Sequence, residues 1–310
     1  MKDMRPILIA GPTASGKSGL ALRLAEVLGG VVINADSMQV YRELRILTAR
    51  PSAAEEQRAP HALYGFVSGQ DSYSAGRYAV DVARVLGEAQ REGLWPIIVG
   101  GTGLYFKTLT EGLSPIPAVP EEVRQHWRAR GAEEGAGVLH RELSARDAEM
   151  AGRLAPTDTQ RIVRALEVLE ATGVSLAEWQ RVPREKIIDL AETVPLLVCV
   201  ERDELYRRID ARFVAMIDEG ALDEVMQLER LGLDPALPLM SSLGVGPLRR
   251  YLAGEVSLEA AIEEGQTESR QYAKRQLTWA RSNMISWKRI YAQQMQSEFA
   301  EIVSFVQSAH

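Results

Sequence analysis

Gly11-Pro12-Thr13-Ala14-Ser15-Gly16-Lys17-Ser18 is the stretch on which the fold turns. It matches G-x-x-x-x-G-K-[ST], and its neighbours supply the context that pattern needs. Before it runs Pro6-Ile7-Leu8-Ile9-Ala10, a short apolar run that reads as a buried parallel strand. After it, residues 18–28 carry helical periodicity, with Leu20, Leu24 and Val27 on one face and Gly29-Gly30 as the stop. Strand, glycine loop and helix together predict a phosphate-binding loop. Its glycines let backbone N–H groups turn in on an anion, and the helix N-terminus adds partial positive charge. Lys17 supplies a point charge to the outer phosphate, and the Ser18 hydroxyl is placed for Mg²⁺. The motif implies a bound di- or triphosphate, either as reacting group or as handle.

Outward from the loop the alternation continues. Residues 31–35 form a β-branched run that ends at Asp36, residues 75–92 read as a helix, and 95–99 as another strand. This is an α/β pattern with a P-loop NTPase-like parallel sheet as core. Three prolines crowd 115–120, a stiff exit from that core and a candidate hinge. From there to about Pro183 only helices rich in Arg and Glu are expected. A β-branched run at 194–200 returns to the first sheet, and everything beyond it reads as helical. The expected organisation is a core of 1–114 and 186–310, with a mainly helical insertion over 115–185.

Asp36-Ser37-Met38-Gln39 follows the second strand, where the ligand crevice of a parallel sheet lies. Asp36 can be a Mg²⁺ ligand, a general base or a helix N-cap. Gly100-Gly101-Thr102-Gly103 follows the third strand. It is either a second anion nest with Thr102 as donor, or a turn using glycine for positive φ. Arg270, Lys274 and Arg281 fall within about 40° of one another on a helical wheel, with Tyr272, Gln276, Trp279 and Ala280 on the other side. Arg161 and Arg164, with Gln160, lie outside a stripe of Ile162, Ala165, Leu166 and Leu169. Such faces are either solvated helix surface or contacts to a phosphate backbone.

Composition sets limits. The chain has 310 residues, 46% hydrophobic and 25% charged, as in an ordinary globular protein of about two domains. A single cysteine, Cys199, excludes an internal disulfide and a cysteine-based zinc site. No signal peptide and no apolar run near the ~18 residues of a membrane span are present, so a cytoplasmic location is expected. His61, His126, His140 and His310 are isolated, with no metal or triad spacing. The net charge of −6 at first argues against nucleic acid. Charge is segregated, however. Residues 254–268 hold five acidic and no basic residues, and 269–289 hold six basic and no acidic ones.

GPTASGKS, NADSMQVYR from Asn34, GGTGLY from Gly100, DTQRIVRALEV from Asp158, RIDARFVAMIDEG from Arg208 and QYAKRQLTWAR from Gln271 together closely resemble the bacterial tRNA dimethylallyltransferase (isopentenyltransferase) family. The resemblance implies transfer of a dimethylallyl group from its diphosphate to N6 of the adenosine immediately 3′ of the anticodon, flipped out of the anticodon stem-loop. It implies that Gly11, Pro12, Thr13, Ala14, Ser15, Gly16, Lys17 and Ser18 hold the diphosphate. Lys17, Thr102 and Arg212 then assist its departure, and Asp36 is the general base. It implies tRNA contacts at Asp36, Ser37, Met38, Gln39, Thr102, Arg124, Gln160, Arg161, Ile162, Val163, Arg164, Lys274, Arg275, Gln276 and Arg281. Mg²⁺ at Ser18 is the implied cofactor, and nothing requires more than a monomer. Two places depart from the family pattern: Pro60-His61-Ala62, where a second His is usual, and Leu243-Gly244-Val245-Gly246, where an Ile-Gly-Tyr type is usual. A P-loop small-molecule kinase, an isopentenyltransferase acting on free adenine nucleotide and a non-catalytic RNA-binding protein are the competing readings.

Overall fold

The structure, a computed structural model, describes residues 4–308. They divide into two compact units: residues up to Thr110 together with those from Ile187 onward, and Glu111–Lys186.

The first unit is built on six parallel strands: β1 Ile7–Ala10, β2 Gly30–Asn34, β3 His61–Ala62, β4 Trp95–Gly100, β5 Val194–Cys199 and β6 Lys288–Tyr291, in the order β3-β2-β4-β1-β5-β6. The central strand is apolar throughout because both faces are covered. Ile7 and Ile9 of β1 pack on one side with α1 (Lys17–Leu28), while Leu8 and Ala10 pack on the other with α3 (Ala75–Glu92) and α4 (Gly103–Glu111). The short helix α2 is Ala53–Arg58. Glycine at 29 takes φ 68° and closes α1, as the Gly29-Gly30 stop predicts. Val27, expected on the inner face of α1, is 56% exposed.

Beyond β5 come α10 (Arg202–Asp218), α11 (Ala221–Arg230), α12 (Val245–Leu252), α13 (Leu258–Asn283) and α14 (Phe299–Ser308). The expectation of helix alone after residue 200 is corrected by β6. This edge strand pairs with β5 from Leu196↔Lys288 to Cys199↔Tyr291. Only Ile290 of Lys-Arg-Ile-Tyr is buried, so no apolar run announces it. A third cluster joins Val40, Tyr41, Leu44 and Leu47, which follow β2, to Phe213, Met216, Val225 and Leu248 of α10–α12. The Glu224 carboxylate pins this segment by accepting from the Ile46 (2.7 Å) and Leu47 (3.1 Å) N–H groups.

The second unit is helical: α5 Glu121–Glu134, α6 Ala136–Arg146, α7 Ala148–Arg153, α8 Thr159–Thr172 and α9 Leu176–Trp179. Its own core gathers Trp127, Leu139, Leu143, Met150, Ile162 and Leu166. Asp158 caps α8, accepting from the Arg161 N–H at 3.2 Å, and Gly173 at φ 68° ends it.

Candidate active site

The glycine loop joins β1 to α1 through left-handed backbone. Ala14 takes φ 60° and Gly16 φ 86°, turning successive N–H groups toward one side. Gly11 is needed for closeness: a Cβ there would stand 3.1 Å from the Val198 carbonyl oxygen. The Lys17 ammonium donates to the Pro12 carbonyl at 3.1 Å. Burial pushes Lys17 down to about 8, against the opposing pull of the Asp36 charge and with a smaller push from Arg212. The Thr13 N–H donates to Gln276 Oε1 at 2.8 Å, so the loop's free anion donors begin after Thr13.

Asp36 is held as an Asx turn. Its Oδ1 accepts from the Met38 N–H at 2.9 Å, and its own N–H donates to Asn34 Oδ1 at 2.8 Å. Buried Asn34 also donates to the Leu63 and Asp36 carbonyls, which fixes the exit of β2. Asp36 begins no helix, which removes the N-cap reading. The second glycine loop is stitched to it: the Ser37 N–H donates to Thr102 Oγ1 at 3.0 Å, and the Thr102 N–H to the Ala35 carbonyl at 3.2 Å. Gly100, Gly101 and Gly103 are outside the positive-φ set. Close approach explains them instead. A Cβ would come within 2.0 Å of the Ala35 oxygen, 2.1 Å of Gln276 Nε2 and 2.4 Å of the Trp279 ring, respectively.

Thr13 of the first loop and the Asp36 turn open on a cavity of about 250 Å³, which no residue of the second glycine loop lines. Thr13, Asp36, Ser37, Arg212, Tyr272 and Arg275 form its polar side, and Leu47, Ile209, Phe213, Met216 and Leu243 its apolar side. Arg212 donates to Thr13 Oγ1, and burial lowers its guanidinium while Asp36 opposes that shift. Burial and the Asp36 charge push the Tyr272 phenol well above its ordinary range, so it stays neutral. A larger cavity of about 520 Å³ lies by Pro6, Leu94, Pro96 and Ile188, at the strand N-termini, away from every motif residue.

Several expectations need correction. Ile162 and Val163 are buried in the second unit's core, which leaves Gln160, Arg161 and Arg164 as the outer face of α8. There Arg161 pairs with Asp158 and Arg164 with Glu167, each at 3.2 Å, and Arg124 with Glu121 at 3.8 Å. Gln276 is 9% exposed and both ends of its amide are engaged, so it offers no surface to RNA. The basic run 269–289 is compensated in part: Arg270 pairs with Asp210 of α10, and Lys288 lies 3.5 Å over the Phe305 ring. Lys274, Arg275 and Arg281 are exposed. His61 and His140 bond to backbone carbonyls, at 2.8 and 3.1 Å, and His310 lies outside the described residues. No group of three or more His, Cys, Asp or Glu that could hold a metal occurs among the described residues. No helix among them is long and apolar enough to cross a membrane. Sequence reasoning missed Leu47, Phe213, Met216, Ser241, Ser242 and Tyr272, whose shared cavity leaves no local spacing signal.

A P-loop, a carboxylate at the next strand end and a half-apolar cavity between them define a P-loop α/β transferase. Two family descriptions match the chain: IPP transferase over residues 39–283 and isopentenyl transferase over 4–62. The chain belongs to the IPP transferase family. It is 50% identical over 302 residues to a tRNA dimethylallyltransferase of Parvibaculum lavamentivorans, covering 97% of this chain and 96% of that one. It is 56% identical over 278 residues to one of Methylocella silvestris, covering 90% and 92%. Among solved structures, the full-length tRNA isopentenylpyrophosphate transferase of Bacillus halodurans is similar with a TM-score of 0.71 at 32% identity, covering 99% of this chain and 96% of that one. A eukaryotic dimethylallyltransferase captured acting on tRNA is similar with a TM-score of 0.81 at 28% identity, covering 94% and 75%.

Proposed function

We propose that the protein transfers a dimethylallyl group from dimethylallyl diphosphate to N6 of the adenosine immediately 3′ of the anticodon in tRNA. The observation that carries this reading is the cavity itself. It gathers Asp36, Arg212 and the P-loop residue Thr13 around one space with apolar Leu47 and Met216, in about 250 Å³, room for a five-carbon chain. An adenine N6 lone pair is delocalised into the ring, so the amine attacks well only as a base takes its proton. Asp36 is that base, and the new C–N bond forms as the allylic C–O bond breaks. The leaving diphosphate gathers charge against Lys17, Arg212 and the N–H groups after Thr13, which are in place before the reaction. Thr102 orients Ser37 and thereby the Asp36 turn.

The Ser18 hydroxyl is exposed on the first turn of α1, beside the anion loop. That donor set suits Mg²⁺, which takes few protein ligands and several phosphate oxygens. When bound through Ser18, Mg²⁺ neutralises diphosphate charge. Extruding the base from a loop costs a few kcal/mol, on the order expected for base flipping. Arg124, Gln160, Arg161 and Arg164 of the second unit, with Lys274, Arg275 and Arg281 of α13, supply phosphate contacts that grip the anticodon stem-loop. A tRNA substrate suits the cytoplasm.

The test is incubation with Mg²⁺, labelled dimethylallyl diphosphate and unmodified tRNA. Label is expected at the adenosine 3′ of the anticodon. Absence of label alongside phosphate transfer from ATP would establish a kinase instead, and label in free adenine nucleotide but not tRNA would establish the smaller acceptor.

A further inference from the structure

Gln276 sits on α13 between exposed Arg275 and half-buried Leu277, yet is itself buried. Its Oε1 accepts from the Thr13 N–H at 2.8 Å, and its Nε2 donates to the Gly101 carbonyl at 3.0 Å. One amide thus bridges the loop after β1 and the loop after β4. The bridge continues on both sides. Thr13 Oγ1 accepts from Arg212, and Gly101 precedes Thr102, whose oxygen accepts from the Ser37 N–H next to Asp36. Tyr272, one turn earlier on α13, lies beside Thr102 and Gln276.

The residue type follows from the bridge. A side-chain amide presents a neutral acceptor and a neutral donor on separate atoms at the same end, and of the two amides Gln has the longer reach. Asn is one methylene shorter. Glu would turn an acceptor toward the Gly101 carbonyl and bury a charge. The fit is close enough that a Cβ on Gly101 would stand 2.1 Å from Nε2, so Gly101 is the partner this amide requires.

We propose that Gln276 is a positioning residue for the diphosphate loop. By its place on α13 it couples RNA docking on exposed Lys274, Arg275 and Arg281 to the grip on the allylic donor. This rests on the function proposed above. The helix that meets RNA on its outer side holds the P-loop backbone on its inner side. RNA docked on α13 therefore steadies Thr13, Thr102 and the Asp36 turn together.

The test is titration of the full chain with inorganic pyrophosphate and Mg²⁺ by calorimetry, for wild type and Gln276→Leu, with tRNA affinity and thermal unfolding measured alongside. Leu keeps the bulk and removes both hydrogen bonds. Pyrophosphate binding is expected to weaken by about tenfold, the size of effect from a loop donor left unmet. Affinity for tRNA should be unchanged, and KM for dimethylallyl diphosphate should rise with little change in KM for tRNA. Saturating tRNA should tighten pyrophosphate binding in the wild type and fail to do so in the variant. Unchanged pyrophosphate affinity with weakened tRNA binding would make Gln276 an RNA contact and overturn the proposal. Equal loss of both ligands in a variant that melts like the wild type would overturn it as well. If Gln276→Leu does not fold, Gly101→Ala displaces the amide from the other side and must show the same split. A wild type that binds no pyrophosphate would instead refute the allylic-donor reading itself.

Discussion

Replacing Asp36 by Asn separates its chemistry from its architecture. The turn depends on Oδ1 accepting from the Met38 N–H at 2.9 Å, which an amide oxygen still does. What Asn removes is the ability to take a proton and the negative charge facing Lys17 and Arg212. A positioned general base is worth roughly 10²–10⁴ in rate, or about 2.7–5.4 kcal/mol in barrier at ~1.36 kcal/mol per tenfold. The turn loses no hydrogen bond, but buried Lys17 and Arg212 lose a facing counter-charge, so stability should fall by about 1–3 kcal/mol. Single-turnover transfer of label to tRNA at saturating donor isolates the chemical step from binding and release. A fall of two to four decades is expected, with tRNA affinity within about twofold. Asp36→Ala should match that rate loss and additionally lose stability by ~0.5–1.5 kcal/mol, because the Met38 N–H then lacks its partner. A single-turnover rate for Asp36→Asn within tenfold of wild type would refute the assignment of Asp36 as base.

Lys17 gives a pH dependence. Burial lowers it to about 8, so the free protein loses this cation as pH rises through 8 rather than near 10.5. Pyrophosphate affinity should fall above pH 8, and Lys17→Arg should remove that fall while leaving the ligand's own titration; a flat profile to pH 10 in both proteins would contradict the shift. The linked stability runs the other way: neutral Lys17 suits the folded site, so its contribution grows as pH rises from about 8 toward 10.5 and is absent below. Phe213→Ala empties a ring that lies where Cβ atoms on Gly244 and Gly265 would stand, so unfolding should cost ~3–5 kcal/mol less, as for large-to-small core changes generally. Urea midpoints check this, and a loss under 1 kcal/mol would show the slot collapses freely. Lys274→Ala and Arg281→Ala should each reduce the slope of log affinity for tRNA against log salt by ~0.7–0.9, as measured by filter binding; an unchanged slope would exclude their phosphate contacts.

The elements that carry the candidate site are legible in the sequence. The β1, P-loop and α1 sequence is a local code of apolar run, glycine spacing and helical period, and α3 at Ala75–Glu92 follows the same kind of signal. Asp36 and Thr102 were findable because residues just past parallel strand ends face the ligand crevice. Within the expected RNA-contact stretches, Ile162, Val163 and Gln276 belong to interior faces, which a run of consecutive letters does not separate from exterior ones.

By itself the sequence determined the parallel core and the family, and it predicted a glycine loop after the first strand and a helical insertion over 115–185, because each rests on short-range periodicity or on fixed motif spacing. The tertiary structure decided the rest. It placed edge strand β6, whose four residues carry one buried side chain. It showed that the glycines of Gly100–Gly103 serve contact with Ala35, Gln276 and Trp279 rather than positive φ. It assembled the cavity from Asp36, Leu47, Arg212, Phe213, Leu243 and Tyr272, residues spread over more than two hundred positions of chain. These features depend on which surfaces meet once helices pack on the sheet, and no local spacing records such a meeting.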